Sequence, residues 1–172
     1  MTLPTNSTES GSDRRDRAPI PVPLPILAIT TWFGSGQCPV APGTVGSIAA
    51  LPFAWGLAWA FGPIGLAIAS ALAFLIGTLA SSAHVRRSGE RDPKRIVIDE
   101  VAGQWLTLVP APLDPLAYLV GLACFRLCDI TKPWPACLAD RRVHGGVGIM
   151  LDDGIAAVYS TAMMTAYVHF LM

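Results

Sequence analysis

The chain has 172 residues, of which 52% are hydrophobic and 14% charged, with a mean hydropathy of +0.50. That length suits one domain, and the charged fraction lies well below the roughly one quarter of a water-soluble domain. A formal net charge of zero leaves no basic excess for a nucleic-acid partner, so composition points to a membrane protein or an unusually apolar helical core.

Residues 1–17 are polar and contain three arginines, and prolines then fall at 19, 21, 23 and 25. The prolines break up any apolar stretch a signal peptide would need. Residues 1–24 are therefore expected to form a disordered polar tail, ahead of one domain over 25–172. The next segment is glycine-rich, running Phe33-Gly34-Ser35-Gly36-Gln37 and then Ala41-Pro42-Gly43-Thr44-Val45-Gly46-Ser47. It reads either as a loop that cradles an anion with backbone amides ahead of a helix or as a flexible membrane-entry loop. It is not a P-loop, because no Lys follows the second glycine.

From Ala18 to Val85 there is no Asp, Glu, Lys or Arg. Val45–Ala83 is long enough for two spans of about 20 residues each, with Gly62-Pro63 placed to turn a helical hairpin. Small residues suit close packing in lipid, and Trp32, Trp55, Trp59 and Trp105 suit interfacial depth. The competing reading is a buried hairpin in a soluble all-α domain. A two-span hairpin returns residues 86–100 to the side of the tail, and Arg86, Arg87, Arg91, Lys94 and Arg95 place that side in the cytosol. Residues 101–125 carry only Asp114 as a charge and are interrupted by Pro110, Pro112 and Pro115. Each half is about ten residues, too short to span, so two short helices dipping in or packing inside the protein are expected. Residues 154–172 carry no charge and form a last helix that spans or packs. No stretch alternates as a half-buried strand does, so the fold class is all-α.

The charges that remain fall into four clusters. Asp99-Glu100, flanked by Val97, Ile98 and Val101, is costly to bury unless paired or bound to a cation, though acidic first-turn residues of a helix read the same way. Gly103 would leave room beside Asp99. Arg126 and Asp129 are i,i+3 neighbours, and Lys132 extends their face before Pro133 ends the helix. A carboxylate there offers hard oxygen to a cation and the bases neutralise phosphate, although a plain ion pair has the same spacing. Asp140-Arg141-Arg142-Val143-His144-Gly145-Gly146 offers guanidinium groups for phosphate and His144 as a general acid. Asp152-Asp153 precede the last apolar run. One would suffice as an N-cap, and two side by side favour a divalent cation that removes their repulsion. The cysteines, Cys38, Cys124, Cys128 and Cys137, match no zinc spacing and read as reduced, buried thiols.

Taken in order, the glycine-rich stretch at 33–47, Ile98-Asp99-Glu100 with Gly103 and Trp105, Phe125-Arg126 through Asp129 to Lys132-Pro133-Trp134-Pro135, and Asp140-Arg141-Arg142-Val143-His144-Gly145-Gly146 through Asp152-Asp153 resemble the phosphatidylglycerophosphatase A family. The resemblance runs from about Trp32 to near the C-terminus. It implies an all-helical, Mg²⁺-dependent phosphomonoesterase acting on phosphatidylglycerophosphate, a phospholipid substrate, in the last step of phosphatidylglycerol synthesis. The place implied is a bacterial inner membrane, with the active site facing the cytosol. On the matching motifs, Asp99, Glu100, Asp129, Asp152 and Asp153 are the expected metal ligands. Asp129, Asp153, His144 and Lys132 are expected to be catalytic, and Arg126, Arg141, Lys132, Ser35 and Thr44 to contact phosphate. The other readings are a phosphatase for another phospholipid or small phosphomonoester, and a non-enzymatic cation-binding membrane protein.

Overall fold

In the computed structural model, residues 20–90 and 93–171 are described, apart from the side chains of Asp140 and Arg141. Most of the expected polar tail, residues 1–19, lies outside them. The described residues form helices α1 (Leu24–Thr30), α2 (Pro42–Ser88), α3 (Ile98–Thr107), α4 (Pro115–Thr131), α5 (Ala136–Arg142) and α6 (Gly146–Leu171), with a 3₁₀ turn at Ser35–Gln37. There is no strand among them, as the absence of alternating stretches implies.

The hairpin expected at Gly62-Pro63 is present. Gly62 has φ 66° and ψ −173° inside α2, a conformation that essentially only glycine adopts. The limb before it, 42–61, is about 30 Å long at 1.5 Å per residue, and the limb after it returns antiparallel. Contacts with α3 establish the return. Gly46 lies against Val97 and the Trp105 indole donates to the Ala50 carbonyl at 3.0 Å. On the other limb the Ser70 hydroxyl donates to the Ala102 carbonyl at 2.8 Å and Gly77 lies against Ile98. The short helix α3 is thus wedged between the two limbs, with Val101, Ala102 and Trp105 in the core.

The two short helices expected over 101–125 are α3 and a longer α4. Asp114 caps α4 by accepting from the Ala117 N–H at 2.9 Å, so the prolines that stop one helix also start the next. Gly103 meets the Phe125 ring and Gly121 meets Leu108; α3 and α4 therefore run in and out as a second hairpin. The room expected beside Asp99 at Gly103 is filled by Phe125, whose ring is fully buried. Finally α6 runs back across the bundle, where Thr107 Oγ1 and Ser160 Oγ lie 2.6 Å apart.

Helices α2 and α6 are long and apolar enough to cross a membrane, and only 28% and 22% of their most apolar windows are buried. Trp59, Phe61, Ile64, Leu79 and Phe170 stand out from the bundle, with Trp59 76% exposed. A soluble core helix hides such residues, so two long apolar helices this exposed are compatible with membrane association. The chain's antiparallel path also brings residues 42, 94–100, 126–132 and 143–153 to one side of the bundle.

Candidate active site

At that end a cavity of about 380 Å³ opens between the start of α2, the segment before α3, the end of α4 and the start of α6. Each wall has a local reason. Val97 leaves the N-terminus of α3 without a side-chain cap, so Asp99 and Glu100 stand in its first turn, where the positive end of the helix favours acids. Asp99 Oδ1 accepts from the Glu100 N–H at 3.0 Å. At the end of α4, Arg126 Nη1 lies 2.5 Å from Asp129 Oδ2 and 3.9 Å from Glu100 Oε1. Lys132 then takes the left-handed conformation, φ 42°, ahead of Pro133, and its Nζ lies 2.6 Å from Asp152 Oδ2.

Asp152 and Asp153 do not cap α6. That helix begins at Gly146, seven residues earlier than an N-cap reading of Asp152 requires. Both acids therefore sit inside the helix, buried and facing the cavity. His144 stands on the exposed rim. Arg141 belongs to α5, and its side chain lies outside the described residues. Ser35 and Thr44 do not line the cavity; the Ser35 hydroxyl donates to the Thr31 carbonyl at 3.1 Å, closing its own turn instead. The part of the glycine-rich stretch that reaches the cavity is Ala41-Pro42-Gly43. A Cβ on Gly43 would meet Glu100 Oε1, and Arg126 Nη1 at 3.2 Å, so the bare glycine lets the Glu100 carboxylate sit against the start of α2. Sequence reasoning also missed Lys94 as a cavity residue; it stood out only as one charge of a basic segment.

Burial dominates the electrostatics. It pushes the Asp99 carboxyl well above its usual range, and the neighbouring Glu100 charge adds to the shift. Burial raises Glu100 as well, against the lowering pull of its hydrogen bond with Asp99 and of Arg126. Among the described side chains the cavity holds five carboxylates against Lys94, Arg126 and Lys132, an excess of two negative charges. Asp99, Glu100 and Asp153 each offer an oxygen, all within 4.8 Å of one another. Glu100 Oε2 and Asp153 Oδ2 are buried without a hydrogen-bond partner. Three convergent carboxylates, two of which carry an orphaned buried oxygen, could hold a small divalent cation.

Acids and bases interleave in one cavity at the end of an apolar helical bundle, with Arg126 against Asp129 and Lys132 against Asp152. Comparisons with known proteins give the family. Residues 28–168 match the family described as "PgpA: Phosphatidylglycerophosphatase A". The phosphatidylglycerophosphatase A of Escherichia coli K12 is 40% identical over 144 residues, covering 83% of this chain and 81% of that protein. That of Haemophilus influenzae is 34% identical over 149 residues, covering 86% and 91%. A Bacteroides thetaiotaomicron protein provisionally named phosphatidylinositol-3-phosphatase is 35% identical over 153 residues, covering 80% and 89%. No solved structure matches significantly. The chain belongs to the phosphatidylglycerophosphatase A family and is a phosphoric monoester hydrolase.

Proposed function

We propose that the protein hydrolyses the terminal phosphomonoester of phosphatidylglycerophosphate, giving phosphatidylglycerol and orthophosphate, with Mg²⁺ as cofactor. The observation that carries this reading is the single cavity into which an otherwise charge-poor chain gathers Asp99, Glu100, Arg126, Asp129, Lys132, Asp152 and Asp153. The reaction is the last step of phosphatidylglycerol synthesis. Arg86, Arg87, Lys94 and Arg95 share the cavity's end of the bundle, and their charge favours the cytosolic face of a bacterial inner membrane.

Asp99, Glu100 and Asp153 would hold the cation, with Asp129 and Asp152 beside them. When bound it neutralises phosphate oxygens and balances the acidic excess. Arg126 and Lys132 are kept in place by Asp129 and Asp152, and both present N–H donors to the phosphate and to the charge that develops on it. Water attacks phosphorus opposite the glycerol oxygen. Asp153, with one buried oxygen unpartnered, receives the water proton as the P–O bond to glycerol breaks. His144 on the rim gives a proton to the departing alkoxide. The girdle of α2 and α6 keeps the acyl chains in the bilayer.

The test is orthophosphate release from phosphatidylglycerophosphate in detergent micelles, with Mg²⁺ and with a chelator. Release that needs Mg²⁺ is expected. Faster release from a phosphoinositide bearing a 3-phosphate would transfer the reading to the substrate that the Bacteroides relative's name carries. Release from neither lipid by folded protein would refute it.

A further inference from the structure

Next to the acid-rich cavity lies a second cleft of about 680 Å³, and the two share Pro42 and Lys94. The second cleft is walled by the turn at Gly36-Gln37-Cys38 and by Glu90, Lys94 and Arg95, the part of the glycine-rich stretch that the reaction leaves unused. Its two cations differ. Arg95 Nη2 is held by Glu90 Oε1 at 3.1 Å, whereas Lys94 has no ion pair among the described residues and stands exposed at the junction.

The position of Lys94 is fixed by its backbone. The Val97 N–H donates to the Thr30 carbonyl at 2.8 Å, and the Ile96 N–H to the Pro93 carbonyl at 2.9 Å. Gly36 lies so close to the Arg95 carbonyl that a Cβ there would collide with it. The segment is therefore clamped between α1 and the glycine turn, which holds a flexible ammonium over the boundary of two cavities.

The proposed substrate carries two phosphates, a terminal monoester and, one glycerol away, a diester. Arg126, Lys132 and the acids occupy the first cavity. We infer that Lys94 binds the diester phosphate at the mouth of the second cleft, making it a specificity-determining residue for lipids that carry a second phosphate. This assignment rests on the phosphatase reading. An ammonium suits the task because it meets a diester oxygen as a point charge without demanding a planar, two-pronged geometry. The glycine turn and Arg95 border the diester side, and the terminal phosphate reaches the acids.

The experiment compares wild type, Lys94→Gln and Lys94→Arg on phosphatidylglycerophosphate in detergent micelles with Mg²⁺, and measures competitive inhibition by orthophosphate. Losing one charge-assisted contact raises KM for the lipid by roughly tenfold to a hundredfold, with kcat moving less. Lys94→Arg restores KM to within a few-fold, and the orthophosphate inhibition constant changes much less than KM. An unchanged KM in Lys94→Gln overturns the assignment. So does an orthophosphate constant that rises in parallel with KM, because Lys94 would then touch the monoester. Wild type that releases no phosphate at all removes the phosphatase reading itself, and the subsite with it.

Discussion

Replacing Gly43 by alanine separates catalysis from stability. The added methyl would collide with Glu100 Oε1 and lie 3.2 Å from Arg126 Nη1. The carboxylate has to retreat by roughly 1 Å, and misplacement of that size at a reacting centre costs about a hundredfold in rate, or about 2.7 kcal/mol. Helix α2 itself should tolerate the change, since alanine replaces glycine in its first turn and reduces the freedom of the unfolded chain by about 0.4–1 kcal/mol. We expect Gly43→Ala to lose about a hundredfold in kcat/KM for phosphatidylglycerophosphate while the melting temperature stays within about 3 °C of wild type. Steady-state phosphate release and thermal unfolding in detergent measure the two. Activity within twofold of wild type would show that the reaction does not need the Glu100 carboxylate held against Gly43. A matching fall in melting temperature would reduce the effect to a packing fault.

Other expectations follow from the same contacts. Asp153→Asn replaces one of three convergent carboxylates by a neutral amide and should raise the Mg²⁺ concentration for half-maximal thermal stabilisation by at least tenfold, about 1.4 kcal/mol, read from melting temperatures in a Mg²⁺ titration; an unchanged midpoint would place the cation elsewhere. Gly103→Ala drives a methyl into the Phe125 ring, 2.5 Å from Cε2, and should cost about 1–3 kcal/mol by overpacking, visible as a lower melting temperature that Phe125→Leu partly restores. Burial holds Asp99 and Glu100 above their unfolded values, so the folded state binds their protons more tightly than the unfolded chain does. Stability in chelator should therefore fall as pH rises from the ordinary carboxylate range, near about 4, through the raised folded values. A divalent cation binds the deprotonated form, so the melting-temperature gain from Mg²⁺ should grow as pH rises from the ordinary carboxylate range through the raised folded values; a constant gain would refute the assignment.

Much of this architecture is legible in the sequence, because charges are scarce and their positions mark which ends meet. The charge-free run with Gly62-Pro63 at its middle contains its own turn, and the prolines between residues 110 and 115 divide α3 from α4 without help from distant contacts. Local pattern misleads where tertiary contacts decide. Asp152-Asp153 look like a helix start because the apolar run follows them, yet α6 begins at Gly146, and capping yields to burial around the cavity. Ser35 and Thr44 look like anion ligands because they carry hydroxyls among glycines. The chain's path puts the Ser35 hydroxyl onto the Thr31 carbonyl and brings Gly43, which has no side chain, to the acids. Lys94 looks in the sequence like one charge of a basic segment, since nothing local shows that α1 and the glycine turn clamp that segment across two cavities. The space expected at Gly103 exists only until Phe125 arrives from α4.

On the proposed function, the phosphate ester is cleaved in the cavity holding Arg126 and Asp129. The most direct test is Mg²⁺-dependent orthophosphate release from phosphatidylglycerophosphate by wild type and by Asp129→Asn in the same micelles. Asp129 holds Arg126 at 2.5 Å, so wild type should release phosphate and the variant should lose at least a hundredfold in rate with its fold retained. Wild-type rates in Asp129→Asn would contradict the proposed site.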